Sequence, residues 1–190
     1  AMTRIILFLM VLAGFLAGCG SVPPAPTDWF YRLQPVAISP GKALPGAIVV
    51  QAFRADSLYA ERPIVYADES SLRQLRQYHY HLWLYPPAQM VQGHLLASLG
   101  RQLDLNGGSD APYSLEGRVL GFERVLSGKR SKASVSVELR LSAKGAPVLG
   151  RIYQAESLAA DDSMAAFAVA MEQALAGVYA EFLADATRLR

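Results

Sequence analysis

The chain predicts an α/β fold, a mixed, mostly antiparallel β-sheet packed against two long α-helices. Three observations carry this. Residues 133–143, "ASVSVELRLSA", set Ala133, Val135, Val137, Leu139 and Leu141 against Ser134, Ser136, Glu138, Arg140 and Ser142. A period of two is that of a strand with one wet face. Met164, Ala168, Met171, Leu175, Val178 and Phe182 recur in steps of four and three, as one face of a helix does. Val91, Leu95, Leu99 and Leu103 repeat every four residues after Pro86-Pro87, and proline suits a first helical turn.

The elements follow in order. Thr3 and Arg4 precede an unbroken apolar run, Ile5 to Phe15, with small residues behind it. An early cation, a short apolar core and a small-residue end describe a secretory signal peptide. The run is shorter than the roughly 20 residues that a spanning helix needs. Residues 1–18 are therefore read as a cleaved leader. At its end, Leu16-Ala17-Gly18-Cys19 resembles the lipobox of bacterial lipoproteins. That resemblance implies cleavage between Gly18 and Cys19 and a diacylglyceryl thioether on Cys19. No second cysteine exists to form an intramolecular disulfide with it. Each buried methylene contributes about 0.8 kcal/mol, so two or three acyl chains hold a protein on a bilayer. Gly20-Ser21 come next. Inner-membrane retention resembles a readout of Asp at that place, so these residues imply export to the outer membrane.

Residues 19–28 then comprise the lipidated cysteine and a flexible tether. "SVPPAPTD" holds three prolines in eight residues, an extended and solvated composition. Residues 29–190 make one domain, large enough for a single core. "DWFYRLQP" (28–35) reads as a first strand and "AIVVQAF" (47–53) as a strand buried in a sheet. "RPIVYAD" (62–68) and "SLRQLRQYHYHLWLY" (71–85) are further extended segments, and "NGGSDAP" (106–112) supplies turn residues after the first helix. "YSLEGRVLGFERV" (113–125) and residues 133–143 form a hairpin around the tip "SGKRSK", with Gly117 and Gly121 marking bends or a bulge. "VLGRIYQAES" (148–157) adds a strand, and Asp161-Asp162-Ser163 cap the final helix. Small residues, Ala165, Ala166, Ala170, Ala174 and Ala176, let that helix approach its neighbour closely.

The charges nearly cancel, 18 basic against 16 acidic side chains, which leaves no long-range field for nucleic acid or an anionic membrane surface. No G-x-S-x-G, H-E-x-x-H or phosphate-cradling glycine loop occurs. Ser39-Pro40-Gly41-Lys42 fits S-x-x-K without its companion motifs, and Glu61, Asp68 and Glu69 read as solvated loop carboxylates. The expectation is a protein that is not an enzyme, with no catalytic residues and no cofactor. His79 and His81, two apart on a strand, would share a face. With no third ligand beside them and His94 on the next helix, no metal site is expected. Tyr78, Tyr80, Leu82 and Leu84 would take the opposite face, as packing against a helix requires. The functional alternative is an aromatic wall, with Tyr78, Tyr80, Trp83 and Tyr85 as candidate contacts for a partner or for lipid. Lys129, Arg130 and Lys132 read as a solvated hairpin end, with lipid phosphates or an acidic partner as the alternative.

Taken together, "WFYRLQP", residues 62–87 and the hairpin-plus-helix ending resemble the ABC-type transport auxiliary lipoprotein family, the PqiC-like group that accompanies Mce-domain lipid transport systems. The family's "YYRL" matches Phe30-Tyr31-Arg32-Leu33, its "R-x-I-V-Y" matches Arg62 to Tyr66, and its tryptophan with a proline three residues on matches Trp83 and Pro86. Ala67 and Tyr85 depart from it, where members often carry a basic and an acidic residue. The resemblance implies a periplasmic lipoprotein held on the outer membrane by its acyl chains. It would act as docking subunit beside an ABC permease, its ATPase and an Mce-domain protein, with homo-oligomerisation left open. A lipid-binding shuttle or receptor, and a lipoprotein regulator of cell-wall enzymes, are the alternatives. The apolar excess of the chain, with a mean hydropathy of +0.20, motivates the shuttle.

Overall fold

A computed structural model describes residues 26–38, 46–100, 103–105 and 108–189. The leader, Gly18, Cys19 and the Ser39–Lys42 segment lie outside the described residues. The strands are β1 (Trp29–Tyr31), β2 (Ile48–Val50), β3 (Arg54–Ala55), β4 (Pro63–Asp68), β5 (Arg76–Trp83), β6 (Tyr113–Ser127), β7 (Arg130–Ala143) and β8 (Ala146–Leu158). The helices are α1 (Pro87–Leu99), between β5 and β6, and α2 (Met164–Ala186), after β8.

All eight strands join one mixed sheet, ordered β1-β5-β4-β6-β7-β8. Strand β6 organises it. Its one edge pairs with β7 along its length, from Tyr113↔Ala143 to Ser127↔Arg130. Its other edge takes β2, β3 and β4 in succession, all parallel to it. The long ladders, β6 with β7 and β7 with β8, are antiparallel. The short segments before them bring four parallel pairings, β1 with β5 and β2, β3 and β4 with β6. The sheet is therefore mixed, and antiparallel chiefly in its second half.

The hairpin is tighter than the sequence implies. Its strands run on to Ser127 and Arg130, leaving Gly128-Lys129 as a two-residue turn with Gly128 at φ +61°. A second two-residue turn, Lys144-Gly145, has positive φ at both positions and joins β7 to β8. Gly121 sits at a register shift between Val119 and Gly121, the bulge that its glycine foretold. Gly117 has a different duty: the Phe53 ring lies directly over it.

The alternation in β7 is realised residue by residue, with Ala133, Val135, Val137, Leu139 and Leu141 all buried. They meet α2, whose Phe167, Met171, Leu175, Val178, Tyr179 and Phe182 are fully buried. Ser163 caps this helix, accepting the Ala166 N–H on its hydroxyl at 3.1 Å. Helix α2 is long and apolar enough to cross a membrane by composition, yet most of it is buried against the sheet. Only one of the two helices is long, because α1 stops after 13 residues at Gly100. Leu103, counted into its periodic face, is buried beyond the helix end.

Candidate functional site

The residues that matter most converge where β1 meets β5 and the chain turns into α1. Pro86-Pro87 forces this turn: Pro86 is the N-cap and Pro87 opens the helix. Strand β1 runs parallel to β5 in the register Trp29↔His81, Phe30↔Leu82, Tyr31↔Trp83. The Leu84 N–H donates to the Tyr31 carbonyl at 2.7 Å, continuing the ladder past the strand.

Strand β5 does not alternate simply. Pro63 pairs with Leu82, but Val65 pairs with Gln77, so β5 carries extra residues against β4 at this irregularity. The faces change there. His81 consequently lies on the side of Tyr78, ring centroids 5.4 Å apart, and its Nδ1 is 3.0 Å from the Tyr31 hydroxyl. The expectation that Tyr78 and His81 take opposite faces is thereby corrected.

The four candidate aromatics divide. Trp83 is fully buried, with ring centroids 5.1 Å from Phe122 and 5.6 Å from Phe167, so it is a core residue. Its indole Nε1 has no hydrogen-bond acceptor among the described residues. Tyr78 is half-buried, stacked 4.4 Å from Tyr66, and its hydroxyl accepts from Arg124 at 3.1 Å. Tyr80 and Tyr85 remain open to solvent, 45% and 51% exposed. Trp29 at 60% and Phe30 at 52% join them, with Leu84 beside them. Neither Trp29 nor Phe30 stood among the sequence candidates. The sequence offered only a weak signal, two large aromatics immediately after a solvated tether, because the shortness of the strand appears only in the fold.

Arg62 ties the junction together. Its Nε donates to the Trp83 carbonyl at 3.1 Å, and its guanidinium stands 4.9 Å from the centre of the Phe30 ring. The Trp83 N–H returns a bond to the Arg62 carbonyl at 2.8 Å. The three short motifs, at Phe30–Leu33, Arg62–Tyr66 and Trp83–Pro86, thus meet at one place.

Behind the junction, residues 33–36 cross both helices as an extended strap held by side chains. Gln34 N–H donates to Glu172 Oε1 at 2.7 Å, and Val36 N–H donates to Ser98 Oγ at 3.2 Å. His94 Nε2, 2.8 Å from the Gln34 carbonyl, must carry the proton that bridges them. Its Nδ1 is 3.3 Å from the Tyr179 hydroxyl, whose single proton lies between that nitrogen and the Val91 carbonyl, 3.1 Å away. Burial pushes the His94 imidazole below its ordinary value and the Tyr179 phenol well above its own. His94 is therefore a neutral clamp. A groove of about 340 Å³ opens beside the strap, lined by Arg32, Leu33, Leu84, Tyr85 and Met90 among others.

The polar candidates resolve into structural pairs. Asp68 accepts the Ser70 N–H, Glu69 accepts the Ser127 hydroxyl, and Glu61 accepts from Gln77 at 3.5 Å. Lys132 is not at the hairpin tip: it lies in β7 and pairs with Glu156 at 2.9 Å and Glu69 at 3.9 Å. Buried Arg124 holds the start of α2, donating to Asp162 Oδ1 at 2.6 Å, the Asp162 carbonyl at 2.7 Å and Tyr78.

Known structures share this architecture. A Xanthomonas campestris protein of the DUF330 family superposes with a TM-score of 0.71 at 19% identity, covering 85% of this chain and 96% of that one. A second, uncharacterised crystal structure gives 0.66 at 22% identity, covering 86% and 98%. A putative lipoprotein from Caulobacter crescentus is 24% identical over 54% of this chain and 82% of its own, with a TM-score of 0.41. No curated protein matches the chain. The description "ABC-type transport auxiliary lipoprotein component" matches residues 31–182, a span that begins at Tyr31 in the aromatic junction and ends at Phe182 in the core helix. The chain belongs to the ABC-type transport auxiliary lipoprotein component family.

Proposed function

We propose that the protein is a non-catalytic docking subunit of an ABC/Mce-type lipid transport system, anchored to the periplasmic face of the outer membrane by acyl chains on Cys19. In this reading it neither hydrolyses ATP nor crosses a membrane. It holds an Mce-domain protein and, through it, the permease and ATPase in line with the outer membrane, and so serves envelope lipid traffic. The observation that carries the reading is the family match over residues 31–182. A leader ending in Leu16-Ala17-Gly18-Cys19 supports the anchor.

Two measurements test it. Mass spectrometry of protein extracted from native membranes should find Cys19 as an acylated amino terminus, and Cys19→Ala should release or mislocalise the protein. Co-purification should recover an Mce-domain partner; an unacylated product, or a clean failure to bind the partner encoded nearby, overturns the reading. A second reading, in which the folded domain itself binds lipid, is favoured by the groove beside Leu33 and Tyr85. Native mass spectrometry showing only apo protein would remove it.

A further inference from the structure

We infer that the β1–β5 edge and the neighbouring end of α1 form a membrane-facing surface that lies in the interfacial layer of the bilayer. The inference rests on the acylated Cys19 of the proposed function and adds a second, protein-borne contact to it.

Reach is the first argument. Cys19 and Trp29 are ten residues apart. At most about 3.5 Å per residue, that chain spans roughly 35 Å, so β1 is the part of the domain nearest the anchor in sequence and contact with the headgroups is within its reach. The side chains offered there form the second. Trp29, Phe30, Tyr80, Leu84 and Tyr85 are all substantially exposed on β1, β5 and the turn after it. Trp and Tyr prefer the membrane–water interface, where an apolar ring and a polar tip are both satisfied.

Charge is the third. Residues 29–55 and 70–103, which supply this edge, hold no acidic side chain although the whole chain has 16. Helix α1 carries no charged residue of either sign. Cations stand near the edge, with Arg32, Arg62, Arg73 and Arg76 exposed. Acids border it: Asp28 is exposed beside Trp29, Asp68 acts on Arg76, Glu172 accepts from the Gln34 backbone, and Glu61 accepts from Gln77. An arginine-bearing, aromatic surface complements anionic phospholipid headgroups over an apolar layer.

The protein carries its own probe. Trp29 and Trp83 are its two tryptophans, and Trp83 is sealed in the core. The acylated protein is reconstituted into phosphatidylethanolamine/phosphatidylglycerol vesicles, with the Trp29→Phe variant giving the Trp83 background. Flotation reports the acyl anchor and Trp29 fluorescence reports the surface. The expected result is a blue-shifted Trp29 emission, quenched by shallow brominated lipid and shielded several-fold from acrylamide. Phe30→Glu should lose that quenching while flotation is unchanged. Protein that floats with Trp29 still open to acrylamide overturns the inference and leaves the anchor standing. Protein that does not float overturns both. Concentration-dependent shielding of Trp29 without vesicles assigns the surface to a second copy of the chain and overturns the inference.

Discussion

Gly117→Ala should destabilise the domain through one contact. An added Cβ would stand 2.4–2.5 Å from Cε2, Cδ2 and Cζ of Phe53. That is about 1 Å inside the roughly 3.5 Å at which carbon atoms rest. Three ring atoms of a residue only 7% exposed must therefore move together, so a rotamer change of one flexible tip cannot relieve the clash. Overpacking of this kind costs about 1–3 kcal/mol. For a domain of this size it lowers Tm by about 2–12 °C. The assay is a double-mutant cycle by urea or thermal unfolding of the mature protein. Phe53→Ala alone should cost about 3–5 kcal/mol from the cavity it leaves. With the ring gone, Gly117→Ala should be neutral or stabilising by about 0.5–1 kcal/mol, since alanine loses less backbone freedom in a strand. Equal costs of Gly117→Ala with and without Phe53 would refute the packing of ring on glycine.

Other outcomes follow from the same geometry. Because burial depresses the folded pKa of His94 below 6.5, the unfolded chain binds more protons and stability rises with pH. This contribution is complete above about pH 6.5 and is lost as pH falls toward the folded value; His94→Gln should flatten that part of the urea midpoint against pH, and an unchanged profile sinks the clamp. Asp162→Ala strips the counter-ion from buried Arg124 and should cost about 1.5–3 kcal/mol, whereas Arg124→Met should cost less because Asp162 is exposed. The reverse order in chemical denaturation would contradict the assignment. Trp83→Ala should cost about 3–5 kcal/mol, while Tyr85→Ala, at a half-exposed ring, should leave the unfolding midpoint nearly unmoved.

Much of this protein was legible from local chemistry. The alternation in residues 133–143 became an edge-to-edge ladder, and the steps of four and three in the final helix became its buried face. The Asp161-Asp162-Ser163 cap works as its composition says, since Ser163 closes on Ala166. These succeeded because a strand or helix with one buried side must repeat its apolar residues at that element's own period.

The candidate site was legible only in part. Counting alternate residues along 76–83 placed Tyr78 opposite His81. That failed because the irregular pairing with β4 shifts the faces midway, and the irregularity belongs to two strands rather than one. Trp29 and Phe30 were missed because a three-residue strand has no period to read, and its exposure depends on being the sheet's outermost strand. Gly117 could be marked as special from sequence, but the ring that makes it so arrives from 64 residues earlier. Periodicity and caps are thus written in neighbouring residues, whose spacing alone meets the geometric requirement. Register, strand order and the exposed aromatic edge arise from pairings between segments far apart in the chain, and only the folded sheet, by burying one set of rings and leaving another outside, selects among them.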